Sequence, residues 1–148
     1  MKLYMLEPEV AGELGEKTLF NNDNSVSRLH YEFHGWLGDE LLESTPCYIV
    51  SELLGQSLIM SNITGFHLEE MEVSLTDEFI ELYPNRELPT FKRLIPLGNI
   101  IIEGAQFSGW SGEDICITPK KYLVVSEKAF EVFKTYNLKH CEVTILSN

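Results

Sequence analysis

The sequence predicts an α+β fold: a mixed sheet of about seven short strands with three or four short helices, containing a duplicated strand-helix-strand unit. Three observations predict it. Ile49, Val50, Ser51, Glu52 returns 75 residues later as Val124, Val125, Ser126, Glu127. After each Ser-Glu pair, apolar positions recur at helical spacing, and Asn62 or Asn137 then precedes an aliphatic residue and an extended run. Elsewhere, short runs of period two are punctuated by Gly and Pro. The repeat covers residues 47–73 and 122–146 of a single domain, 1–148, long enough to bury roughly 70% of its unfolded surface.

Taken in order, Lys2 to Leu6 alternates and reads as a first strand. Glu7 to Asn24, with its run Asn21, Asn22, Asp23, Asn24, reads as a loop or irregular arm. Leu29, Tyr31 and Phe33 alternate with His30, Glu32 and His34, the period of a half-buried strand that ends at Gly35, Trp36, Leu37, Gly38. Asp39 is placed to cap a short helix through about Glu43. Cys47 to Val50 is then a buried strand. Ser51 offers its hydroxyl to an orphan helix amide, and Glu52 meets the positive end of the helix dipole.

Leu53, Leu54, Leu58 and Ile59 make the buried stripe of that helix, through Met60, with Asn62 as a left-handed stop. Phe66, Leu68, Met71 and Val73 follow as one extended segment, bulged at Glu69 and Glu70. Thr76, Asp77 and Glu78 open a helix with the apolar face Phe79, Ile80, Leu82 and Tyr83, closed by Pro84. Phe91 to Leu97 and Ile100 to Ile102 are expected to pair as a hairpin across Gly98 and Asn99. Gly104 to Glu113 reads as loop and Asp114 to Thr118 as strand. From Tyr122 the second copy buries Ala129, Val132 and Phe133, with Tyr136 at the helix end, and Cys141, Val143 and Ile145 alternate in the last strand.

Composition narrows the function. Against 23 acidic residues stand 11 basic ones, a formal net charge of −12, which repels the phosphate backbone of nucleic acid and favours a basic partner. Excess carboxylate also serves solubility. Cys47, Cys116 and Cys141 are odd in number, widely spaced and set in apolar runs, so they read as buried thiols of a reducing cytoplasm rather than a disulfide framework or zinc knuckle. No segment approaches the roughly 20 apolar residues that span a bilayer, and Met1 to Val10 lacks the apolar core of a signal peptide.

Candidate chemistry is sparse. His30, Glu32 and His34 share one strand face and, with Asp39 near, suit a metal or general-base site; the solvated face of an amphipathic strand explains the same pattern. Ser51 and Ser126 lack the flanking glycines of a nucleophile elbow, and helix capping explains both. Trp36 and Trp110 each sit in a glycine-flanked loop, Trp36 expected as a plug over the core and Trp110 as exposed. Glu69, Glu70, Glu72, Asp77, Glu78, Glu81 and Glu87, against Arg86 alone, interleave with Phe79, Leu82 and Tyr83. Such a surface steers a basic partner by charge and anchors it by aromatics.

The block Tyr122, Leu123, Val124, Val125, Ser126, Glu127, Lys128, Ala129, with Asn137, Leu138, Lys139, His140, Cys141, Glu142, resembles the C-terminal block of small bacterial immunity proteins of polymorphic toxin systems. Leu82, Tyr83, Pro84, Asn85 with Leu88, Pro89, Thr90, Phe91, and the turn Gly35, Trp36, Leu37, Gly38, Asp39, are similar to related chains. The resemblance implies a non-enzymatic cytoplasmic protein, without cofactor, that binds and neutralises a cognate basic toxin. The expected contact residues are the seven carboxylates with Tyr83 and Trp110. A metal-assisted enzyme using His30, Glu32 and His34, and a homo-oligomeric structural or regulatory protein, are the alternatives.

Overall fold

The computed structural model describes all 148 residues. In chain order the elements are β1 (Lys2–Glu7), β2 (Gly12–Leu14), β3 (Leu19–Phe20), β4 (Val26–Arg28), β5 (His30–Phe33), β6 (Leu41–Ser44) and β7 (Cys47–Ser51). Then come α1 (Glu52–Met60), β8 (Phe66–Glu69), β9 (Glu72–Leu75), α2 (Asp77–Leu82), β10 (Phe91–Pro96), β11 (Gly98–Asn99) and β12 (Ile101–Glu103). The chain closes with β13 (Gln106–Ser108), β14 (Ile115–Ile117), β15 (Leu123–Ser126), α3 (Glu127–Phe133) and β16 (Glu142–Ser147).

The architecture is the mixed α+β class expected, dominated by sheet. Seven strands join in the order β11-β14-β15-β1-β16-β13-β12, and the sheet nearly closes on itself because only Ile100 separates its edge strands β11 and β12. A four-stranded sheet, β6-β7-β10-β8, and a three-stranded one, β2-β5-β9, form the other half, with β3 and β4 as a separate arm.

One arrangement recurs. Helix α1 joins β7 to β8, and β10 lies between those strands, antiparallel to both. Helix α3 joins β15 to β16, with β1 between them, also antiparallel to both. Each is a split strand-helix-strand unit whose outer strands run parallel. The registers correspond: Phe91 faces Ser51 and Leu94 faces Tyr48, as Leu3 faces Ser126 and Leu6 faces Leu123. The central strand of the C-terminal unit thus comes from the start of the chain.

Both serines do what their sequence position dictates. Ser51 Oγ accepts from the Leu54 amide at 3.2 Å, and Ser126 Oγ from the Ala129 amide at 3.1 Å. Each hydroxyl in turn donates to a carboxylate, Ser51 to Glu40 Oε1 at 3.0 Å and Ser126 to Asp114 Oδ1 at 2.7 Å. The second oxygen of each carboxylate crosses to the other half of the molecule. Glu40 Oε2 accepts from the Asn137 amide beyond α3, at 3.2 Å, and Asp114 Oδ2 from the Thr64 amide beyond α1, at 2.9 Å.

Three apolar clusters follow. The central one holds Leu54 and Leu58 of α1, Ala129 and Phe133 of α3, and Leu6, Tyr48, Val50, Leu94, Leu123 and Val125 from the strands beneath. A second is built around Tyr31, Phe33, Leu42, Ile49, Phe79 and Phe91, and a third around Leu3, Ile100, Phe107, Cys116, Val124 and Leu146. No helix is long and apolar enough to cross a membrane.

Several local expectations fail for identifiable reasons. Asp39 caps no helix: Leu41 and Leu42 enter β6 because the first and second clusters need them on opposite faces, which a strand provides and a helix does not. Within the expected N-terminal loop, Gly12–Leu14 and Leu19–Phe20 are strands. Residues 66–75 divide instead of bulging, β8 pairing with β10 and β9 running parallel to β5. Strand β10 is claimed by β7 and β8, so β12 finds its hairpin partner in β13, inside the expected 104–113 loop.

The helix stripes are narrower than their composition. Helix α1 buries Leu54, Gly55 and Leu58 but exposes Leu53, Ile59 and Met60; a Cβ at Gly55 would stand 2.9 Å from Leu68 Cδ1, so the glycine sets how closely the helix meets its sheet. Helix α2 buries Phe79 alone, leaving Ile80 and Leu82 exposed. In β16, Leu146 is buried while Val143 and Ile145 are exposed. Asn62 is left-handed, with φ 58°, as expected. Asn137 is no helix stop: α3 ends at Phe133, and the Asn137 amide group donates to Gly38 O at 3.0 Å.

The cap network gives a quantitative expectation. Ser126→Ala should cost about 1 kcal/mol as a lost cap, rising to about 2 kcal/mol because Asp114 also loses a donor. A double-mutant cycle of Ser126→Ala with Asp114→Ala, read by chemical denaturation, should show a coupling of about 0.5–3 kcal/mol.

Candidate functional site

The expected sites are distributed as follows. His30 does not lie on a solvated face: it is buried beneath residues 15–18, where a Cβ on Gly15 would stand 2.1 Å from His30 Nδ1. The Lys17 amide donates to His30 Nδ1 at 3.1 Å, which requires a lone pair there and places the ring hydrogen on Nε2. Nε2 then donates to Ser74 Oγ at 2.7 Å, and the Ser74 hydroxyl donates to Glu32 Oε2 at 3.4 Å. In this direction of bonding the imidazole takes no proton from Ser74. His34 turns away to Glu13, 3.3 Å from Nε2 to Oε1, so Glu32 and His34 meet Glu13 rather than His30.

Ser51 and Ser126 are spent on their caps and carboxylates. Burial opposes ionisation of Asp114, yet the Thr64 amide, the Ser126 and Thr64 hydroxyls and Lys128 together hold its carboxyl below the ordinary range. Burial pushes the thiols of Cys47 and Cys116 up, Arg93 opposing at Cys47; at Cys141 burial and the Asp39 carboxylate push the thiol up to about 12. All three cysteines are free.

The two tryptophans occupy matching turns. Trp36 Nε1 donates to Asp39 O at 2.7 Å and Trp110 Nε1 to Glu113 O at 2.8 Å, closing Phe33 to Glu40 and Phe107 to Asp114 in the same way. Both side chains are half-buried, so the expected contrast of a core Trp36 with an exposed Trp110 does not hold. They also serve different cores, Trp36 with Tyr83 packing on the second cluster and Trp110 on the third.

The acidic set divides by its cations. Glu69 pairs with Arg93 at 3.5 Å, Glu70 with Lys92, and Glu72 with Arg28 at 3.3 Å. Sequence distance hid these partners, which arrive from β10 and β4. Asp77, Glu78 and Glu81 on α2, and Glu87 beyond Pro84, are exposed with no basic partner. Beside them Arg86 lies over the rings of Trp36, 4.6 Å to the centroid, and Tyr83, 5.4 Å. Tyr83 itself packs against Phe79 at 5.2 Å. The outcome is a face with four free carboxylates, exposed Ile80 and Leu82, and an arginine held between two aromatic rings.

A further cluster joins segments that are remote in sequence. Asp39 is fully buried, Oδ2 accepting from the His140 amide at 2.8 Å and Oδ1 lying 2.9 Å from His140 Nδ1. Glu9 comes alongside, its Oε2 accepting from the Leu37 amide at 2.9 Å while its buried Oε1 has no partner. Burial pushes the Glu9 carboxyl above its ordinary range, the Leu37 amide opposing and the Asp39 carboxylate adding to the rise. Nothing in the spacing of positions 9, 39 and 140 announces the cluster, because it exists only when β1, the first turn and the segment after α3 meet.

Among known proteins, no family model matches the chain and no curated protein matches it.

The depressed Asp114 carboxyl carries a pH dependence of known sign. Unfolding returns it to about 3.9, where it binds a proton more readily than in the fold. Its stabilisation is therefore complete above that value and lost as pH falls through the lower folded value. Denaturation midpoints measured from pH 6 down to 2 should fall less steeply for Asp114→Asn than for the native chain.

Proposed function

We propose that this chain is a non-enzymatic cytoplasmic binding protein of the immunity type, which neutralises a basic toxin by covering it with the face formed by α2 and the turn after it. The observation that carries the reading is the division of the acidic residues: three are matched by Arg28, Lys92 and Arg93, while Asp77, Glu78, Glu81 and Glu87 are left uncompensated beside exposed Ile80 and Leu82. Unmatched carboxylates interleaved with apolar side chains suit a basic partner, charge setting the encounter rate and apolar contact the lifetime. A toxin that cleaves nucleic acid presents a basic cleft, and carboxylates occupy it as phosphates would.

The sequence resemblance to immunity proteins supports the same reading, as does the engagement of the serine hydroxyls in capping rather than chemistry. We further infer that the recurring turn, cap and split unit are two copies of one ancestral element, so the scaffold is built twice while the α2 face occurs once. That face lies in the connection from β8 to the central strand β10, outside the paired strands and the capped helix of either copy.

Co-expression with the product of a neighbouring toxin gene should give a complex that survives purification. Reversal of Asp77, Glu78, Glu81 and Glu87 to Lys should slow association at least about tenfold at low salt and flatten its salt dependence, measured by stopped-flow or surface-based kinetics. No complex at micromolar protein would overturn the immunity reading; a complex indifferent to the reversal would place the contact on another face.

A further inference from the structure

We propose that Glu9, Asp39 and His140 form a binding site for a first-row divalent metal ion of the zinc type. One donor atom from each side chain lies within 4.8 Å of the other two. One imidazole with two carboxylates is a donor set suited to such ions, whereas magnesium and calcium favour oxygen alone.

The cluster is more than a group of acids on a surface. Glu9 is 9% exposed, and its Oε1 is the one buried side-chain polar atom of the protein without a hydrogen-bond partner. A buried carboxylate oxygen with no donor is costly unless something electropositive meets it. Asp39 is wholly buried and oriented by the His140 amide, the kind of outer support that fixes a ligand's geometry. His140 is partly exposed and supplies the route to solvent, and Glu9 also borders a groove lined by Val10, Trp36, Leu37 and Tyr83. Two carboxylates against one imidazole concentrate negative charge in a half-buried place, which a divalent cation compensates.

The other half of the molecule shows that the fold does not require this cluster. Continuing the register past the paired residues, Leu97, which is exposed, stands where buried Glu9 does, and by turn position Glu113 stands where Asp39 does. Gly65 occupies the place of His140; a Cβ there would stand 2.5 Å from the Glu113 Cβ, leaving no room for a side chain. The second turn therefore closes on the same Trp-to-carbonyl bond without the histidine and without the second carboxylate.

The test is equilibrium dialysis of the untagged full chain against zinc(II), with metal analysis and thermal unfolding. About one equivalent should bind, and at a hundredfold excess over Kd the Tm should rise by roughly 5–10 °C. His140→Ala and Glu9→Gln should each weaken binding at least about tenfold, while His34→Ala, in the Glu13, Glu32, His34 group, should leave it unchanged. Glu9→Gln carries the decisive contrast: without metal its Tm should equal or exceed that of the native chain, because a buried charge is removed, yet its zinc-induced rise at the same zinc concentration should fall to about half or less. No zinc bound, zinc retained by both Glu9→Gln and His140→Ala, or loss confined to His34→Ala would each overturn the assignment.

Discussion

Two carboxylates, Glu40 and Asp114, hold this molecule together across its own midline. Each receives a helix-capping serine from its own half and a backbone amide from the segment that leaves the helix of the other half. The backbone repeats the exchange: the Glu40 amide donates to Asn137 O and the Ile115 amide to Thr64 O. The carboxylate that supports each cap within its own half is thus also the one that binds the other half. Helix capping and assembly of the halves share two side chains, and α1 and α3, short helices with little intrinsic stability, gain the rest of their support from packing on a common core.

The parts legible in the sequence are those whose cause is local. Ser51 and Ser126 are caps because a hydroxyl at that offset meets an orphan amide, and Asn62 is left-handed because a short polar side chain tolerates that conformation. The parts that misled are decided by distant contacts. Leu41 and Leu42 look like the start of a helix until two cores compete for them. Strand β10 looks like half of a hairpin until β7 and β8 flank it. The helical stripes are narrower than composition suggests, because composition counts every apolar residue whereas a helix nine residues long touches its sheet along one line.

The candidate sites follow the same rule with sharper consequences. Period two places His30, Glu32 and His34 on one face, yet they do not converge on one point: a backbone amide from the overlying arm claims His30 Nδ1, Ser74 stands between His30 and Glu32, and His34 turns to Glu13. The acidic run looked uniform along the chain and is not uniform in space. Cations from β4 and β10 neutralise its strand portion, and only α2 and the turn after it remain bare. Counting charge along a sequence overestimates a patch wherever neighbouring strands supply the opposite sign, and a short helix at the edge, with one buried residue, is where that correction does not reach.

The pair of turns around Trp36 and Trp110 separates what a structure needs from what it carries. Both close with an indole donating to a carbonyl three residues on, and both deliver an acidic residue to a serine cap. Where the two differ, the scaffold is not the reason. Leu97, Glu113 and Gly65 satisfy the second turn with one carboxylate, whose oxygen meets the Ser111 hydroxyl, and with a glycine where no side chain fits. The first turn holds two buried carboxylates and an imidazole instead, one oxygen unpartnered, in a molecule whose other buried side-chain polar atoms are all satisfied. Burying a carboxylate oxygen without a partner is destabilising by itself. The proposed cation supplies the partner that the architecture leaves out.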